Sequence, residues 1–351
     1  MNEKHTFSGF ELSCLTINLI IYKSFTNFPG RFSEGAGASA FLSALLSAVL
    51  IYAVIWFLPV IYRETKTSDV LSLDKKGISS AFSVVVAIYL LLSSSRAIFG
   101  VSEFAGISAY PSAPFVFLTL FFGVAAIISS VRGLDGIIRA HSIIVPFCVL
   151  MILVLLFAIF RTADITNLLP LFGNGVYATL KTSAVNLSYY FDFALLFLLF
   201  PYINNKEDYV KTIRISGGIG LAVSLFVMLS LNLILPYPVS GEVRYPLYQI
   251  IKSVYFGRFF QRIDAFYLLA VSLSGMAYIS CSVFLCSYIL KKAFFLSANR
   301  PLMPVLSVTS MLLALGSFKS QDVLLNITEL ITILIIIIVP FLKFFRKEDE
   351  K

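Results

Sequence analysis

The chain has 351 residues, 58% of them hydrophobic and 13% charged. A soluble domain carries about 25% charged residues to wet its surface, so this composition excludes a soluble globular protein. The formal charge of +8 raises nucleic acid or anionic lipid as partners, and the positions of the basic residues decide between them.

A bilayer core of about 30 Å is crossed by about 20 helical residues. Charge-free runs of that order recur at Gly35–Tyr62, Phe104–Val131, Ser142–Phe160, Ile215–Gly241 and Ala265–Leu290. Backbone groups in hydrocarbon must bond within their own segment, and no alternating ten-residue pattern suggests barrel strands, so the spans are helices. Ten are expected, near 8–28, 37–62, 78–102, 112–131, 140–161, 177–203, 212–236, 257–291, 301–318 and 323–345, in a single domain over 1–351. The run from about Phe7 lacks a strong basic segment before it and is read as a retained first span rather than a signal peptide.

Lys and Arg set the orientation. With the N-terminus inside, seventeen fall in cytoplasmic segments and seven on the opposite side. Both termini are therefore expected in the cytoplasm, and the net charge reflects topology rather than nucleic-acid binding. The longest loop, about Pro236–Phe256, lies on the outer side, with an amphipathic stretch at Tyr245–Tyr255 suited to the interface.

Cys14, Cys148, Cys281 and Cys286 all sit in expected spans without a C-x-x-C, and His5 and His141 stand alone. No metal set, disulfide or cofactor is expected. Gly217-Gly218-Ile219-Gly220 has no strand before it and reads as helix packing, not a dinucleotide loop. Nothing supports catalysis.

The informative residues are polar ones inside spans, where a charge costs roughly 2.5–3.5 kcal/mol on insertion scales. In helix 1 the apolar run ends in Tyr22-Lys23-Ser24-Phe25-Thr26-Asn27, followed by Phe28-Pro29-Gly30. Helix 6 carries Tyr189-Tyr190-Phe191-Asp192. Lys23 and Asp192 sit at corresponding depths of helices five apart, the pattern of an inverted-repeat transporter whose first and sixth helices unwind to bind ligand. The plainer alternative has Lys23 snorkelling outward and Asp192 in a local packing pair. Arg96, after Ser93-Ser94-Ser95 in helix 3, is expected to neutralise Asp192 or to meet a ligand carboxylate. Asp264 and Arg262 at the start of helix 8 do not share a face, so Asp264 is expected to find its partner on another helix, with Tyr267 continuing its side.

Several stretches resemble one family. Arg244-Tyr245-Pro246 followed by Gly257-Arg258-Phe259-Phe260-Gln261-Arg262-Ile263-Asp264 resembles the outer loop and helix 8 opening of the spore germination permeases. So do the small-residue entry Ala38-Ser39-Ala40-Phe41-Leu42-Ser43, with Phe41 where a Trp is usual, and the helix 6 acid followed by Phe200-Pro201. The likeness covers nearly the whole chain. It implies the B subunit of a germinant receptor, similar to amino acid/polyamine/organocation transporters, with five plus five inverted helices (first repeat about 8–161, second about 177–345). It further implies the inner membrane of bacterial spores, an A subunit and a lipoprotein C subunit as partners, and a small nutrient germinant such as an amino acid, sugar or nucleoside. The implied site comprises Ser24–Asn27, the polar face of helix 3, Asp192 with its neighbour Tyr190, and the start of helix 8. Helix 1 departs from the usual glycine-rich break, and Lys23 stands as a candidate fixed cation. A secondary transporter and a structural subunit with a vestigial pocket are the competing readings.

Overall fold

The computed structural model describes residues 8–26, 28–64, 76–190, 192, 196, 198–199, 206–253, 263–296, 298, 300–316, 324–325, 327–328 and 330–335. Among these, every regular element is helical. The chain opens with α1 (Gly9–Phe25), whose first turn is closed by a capping box between Ser8 and Glu11. Then come α2 (Phe28–Ala36), α3 (Ala40–Glu64), α4 (Lys76–Ser108), α5 (Phe115–Val131) and α6 (Gly133–Thr162). Next, α7 (Val176–Val185) passes into tighter 3-10 turns over Asn186–Tyr190. After α8 (Lys206–Ile234), two short helices, α9 (Val239–Glu242) and α10 (Pro246–Ser253), precede α11 (Ile263–Ala293) and α12 (Leu302–Ala314). The described residues between 324 and 335 are helical as well.

Within the described residues the expected spans fall on helices, with shifts at several ends. The first span is two helices, α1 and α2, and runs on to residue 36 instead of stopping near 28. The sixth leaves regular α-helix after Val185. α6 and α8 begin earlier than expected, at Gly133 and Lys206, through turns that carry Asp135 and Glu207 with Asp208. Acidic residues suit a helix N-terminus, but hydropathy reads such turns as loop. The interfacial stretch in the long loop becomes α10, which buries Leu247, Ile250 and Ile251 while Gln249 and Lys252 face outward. The helix 8 opening before Ile263 and the last residues of helix 10 lie outside the described residues.

Packing is inverted relative to a soluble protein. Phe117, Phe121, Ile143 and Leu153 of α5 and α6 are exposed, while Ser43, Ser47, Ser94, Ser274 and Ser310 are fully buried. Apolar lipid solvates the first group, and small hydroxyls let helices approach closely and bond across the gap. α4 and α11 lie along each other, and α1 packs on α8 and α6. Gly220 receives the Ile20 side chain and Gly218 the Tyr52 ring, so this glycine group is packing, as expected. A polar seam joins α3 to α7: Ser39 bonds the Thr179 hydroxyl at 2.8 Å, Ser43 donates to the Thr179 carbonyl at 3.0 Å, and Ser47 donates to the Ser183 carbonyl at 2.8 Å. The first half of the sixth span is thereby fixed to α3 up to the turn where it breaks.

Candidate ligand-binding site

The first break follows from local chemistry. Thr26 ends α1, its N–H and hydroxyl both donating to the Lys23 carbonyl at 3.2 and 2.8 Å. Pro29 lacks an N–H and suits only the first turn of a new helix, so α2 restarts at Phe28. The carbonyl of Phe25, whose partner in a continuous helix would be the N–H that Pro29 lacks, accepts the Tyr267 hydroxyl at 2.6 Å. The interruption is therefore closed by side chains on its own residue Thr26 and on α11.

The two breaks meet at one ion pair. Lys23 Nζ lies 2.8 Å from Asp192 Oδ2, with side chains 15% and 4% exposed. Tyr89 of α4 donates to Asp192 Oδ1 at 2.8 Å. The Tyr278 hydroxyl of α11, 2.5 Å from Ser93, lies beside the same carboxylate. Lys23 also lies 5.6 Å from the centre of the Tyr189 ring. A carboxylate in hydrocarbon needs a counter-charge, and here the first span supplies it to the sixth. Lys23 is thus an ion-pair partner of Asp192, and Arg96 lines the adjoining space.

That space is a cavity of about 130 Å³. Tyr22, Lys23 and Thr26 contribute from the end of α1, and Phe28 and Arg31 from α2. One face of α4 adds Tyr89, Ser93, Arg96, Gly100 and Glu103, and Tyr189 and Tyr278 close the sides. At its other end stand Arg244 and Tyr245 of the segment between α9 and α10. There Arg244 Nη2 meets Glu103 Oε1 at 2.6 Å, and the Tyr245 hydroxyl donates to Glu103 Oε2 at 2.9 Å. Burial, reinforced by the Glu103 charge, pushes the Tyr245 phenol above its usual range, so it remains a proton donor. The cavity thus lies between two ion pairs, one deep and one at its mouth. It is smaller than the about 300–1,000 Å³ of drug-sized pockets and offers ammonium, guanidinium, carboxylate, hydroxyl and aromatic surfaces. Such a lining suits a compact polar solute.

Of the sequence candidates, Tyr22, Lys23, Thr26 and Arg96 line this cavity, and Asp192 anchors its floor through Lys23. Ser24 points to the opposite side of α1, where its hydroxyl donates to Ser224 at 2.8 Å and Ser224 in turn reaches Tyr190 at 3.4 Å. Tyr190 also packs edge-on against Phe28. Phe25 and Tyr267 pack together with ring centres 5.5 Å apart, so these two shape the break rather than the cavity wall. Asp264, half-buried in the first turn of α11, does not line the cavity. Asn27 lies outside the described residues.

Arg31, Tyr89, Glu103 and Tyr278 are not among the sequence candidates, Tyr189 stands there only within the helix 6 stretch, and Arg244 and Tyr245 only as motif residues. A signal for the α4 group was present. Tyr89, Ser93, Arg96, Gly100 and Glu103 are spaced by four, three, four and three residues, which places them on one helix face.

A family model described as spore germination protein matches residues 6–323. Spore germination protein KB of Bacillus subtilis (strain 168) is 24% identical over 287 residues, covering 79% of this chain and 76% of that relative. Among solved structures, MhsT in complex with L-phenylalanine superposes with a TM-score of 0.72 at 14% identity, over 96% of this chain and 89% of that one. A substrate-bound, outward-open Na+-coupled sialic acid symporter gives 0.63 at 13% identity, over 94% and 77%. At such identities the structures speak for fold alone, and the fold is that of the amino acid permease type, all-α with five plus five spans and interrupted first and sixth helices. By its sequence, this multi-pass membrane chain belongs to the spore germination protein family.

Proposed function

We propose that this chain is the nutrient-sensing membrane subunit of a spore germinant receptor and binds a small germinant in the cavity between the two interrupted spans. The observation that carries the reading is the meeting of both breaks at Lys23 and Asp192 beneath a polar, aromatic-walled cavity. A compact solute there contacts both halves of the fold at once. Its binding favours one arrangement of the two breaks over another, and a ligand shifts a two-state equilibrium only through such differential contact. An A subunit and a lipoprotein C subunit then read the shift, in the spore inner membrane, with both termini cytoplasmic as the basic residues suggest. Binding and signalling rather than chemistry are the role, so no enzyme activity or cofactor is part of it.

Spores carrying this receptor are expected to germinate with a defined set among amino acids, sugars and nucleosides, and Asp192→Asn is expected to abolish or re-rank that set. Unchanged germination by every nutrient in the Asp192→Asn spores defeats the proposal. The transporter fold of the structural neighbours favours a second reading, uptake of an amino acid or related solute. Accumulation of radiolabelled nutrient by the chain alone in liposomes selects that reading; binding without accumulation selects the receptor.

A further inference from the structure

We infer that Lys23 is a built-in counter-cation, so that the two broken spans come together without a bound sodium ion or any other dissolved monovalent cation. This goes beyond the nutrient reading and does not depend on which solute binds. Asp192 is a carboxylate with a 4% exposed side chain, and such a group must be balanced by a proton, a dissolved cation or a side chain. The side chain is in place: Lys23 Nζ stands 2.8 Å from Oδ2 and faces the Tyr189 ring as well. Its backbone is held where the helix stops, with the Lys23 carbonyl taken by both the N–H and the hydroxyl of Thr26. Among the described residues, Tyr22, Arg96, Tyr278 and Cys281 are charged or titratable groups that also lie around the pair, with Tyr89 donating to Oδ1.

A dissolved ion bound only to the assembled site stabilises it in proportion to the logarithm of its concentration. A cation tethered to α1 is always present, as the second arm of a linked binder is. The sialic acid symporter with this fold is described as Na+-coupled, whereas here the positive charge travels with the chain. Closure of the breaks then carries no sodium requirement.

The test uses the full purified chain and no nutrient. Its thermal unfolding is followed in sodium, lithium, potassium and choline chloride at equal ionic strength. The wild type is expected to melt at the same temperature in all four. Lys23→Met is expected to melt several degrees lower in choline, and the uncharged pair Lys23→Met/Asp192→Asn to regain most of that loss. A sodium-specific rise in the wild-type melting temperature that Asp192→Asn removes overturns the inference, since a dissolved ion would then be serving Asp192. So does a Lys23→Met chain that melts like wild type in choline. The salt comparison on the wild type stands even if the single variant fails to fold.

Discussion

The two ion pairs that bound the cavity are chemically alike and physically different. Lys23–Asp192 is 2.8 Å long with side chains 15% and 4% exposed, while Arg244–Glu103 is 2.6 Å long with side chains 61% and 16% exposed. Length alone would rank the second as stronger. Burial reverses that ranking. A half-broken pair in a dry interior leaves a charge with nowhere to go, and that typically costs about 3–5 kcal/mol. In the second pair Arg244 stands largely in water, which can take its place beside Glu103, and a pair with such an exposed partner typically contributes about 0–1 kcal/mol. The deep pair therefore belongs to the architecture, and the mouth pair can open and close at little cost.

The comparison is broken most severely at Asp192. Asp192→Ala strands the Lys23 ammonium, and the expected loss in unfolding free energy is about 3–5 kcal/mol, read by denaturation in detergent micelles. A loss below about 1 kcal/mol would mean that water already reaches the deep pair. Next comes the closure of the break. Tyr267→Phe keeps the ring against Phe25 and Phe104 but removes the donor to the Phe25 carbonyl. Leaving a buried acceptor unsatisfied costs about 1–3 kcal/mol, and hydrogen exchange is expected to rise around the end of α1. Smaller still is the seam between α3 and α7. The Ser47 and Ser183 hydroxyls also lie 3.1 Å apart, and a double-mutant cycle of Ser47→Ala with Ser183→Ala is expected to give a coupling of about 0.6 kcal/mol, the average for such bonds in membranes. If the coupling reached the size of the Asp192 effect, rigidity would reside in the seam and not in the ion pair.

Much of this was legible in the sequence because lipid is a strict solvent. It demands long apolar helices, so the spans announced themselves, and it penalises charge, so Lys23 and Asp192 marked the breaks. Other features stayed hidden for equally physical reasons. α2, with Pro29, Gly30, Arg31 and Glu34, reads as loop, and it is a helix because α3, α7 and α9 cover its Phe28, Phe32 and Ala36 side. Its fit with α9 needs Gly241, where an added Cβ would come 3.2 Å from the Glu34 backbone nitrogen. Glu103 fell just past the expected end of helix 3 and so was not weighed, although its spacing from Arg96 put both on one face. That Lys23 pairs with Asp192 was beyond the sequence, since it depends on the distance between two different spans.

The smallest effect is expected at the mouth, and salt makes it diagnostic. Arg244→Ala is expected to change unfolding free energy by no more than about 1 kcal/mol, with Tyr245 still holding Glu103 and the Gly100 carbonyl. At 1 M salt the screening length falls to about 3 Å, so wild type and Arg244→Ala should there become indistinguishable. The loss in Asp192→Ala should persist, because ions do not penetrate to a buried pair. Denaturation curves for both variants at low and high salt give the contrast directly. An Arg244→Ala loss that survives high salt would make the mouth as fixed as the floor. The cavity would then need another way in, and the segment between α9 and α10 would be a wall of the site instead of its door.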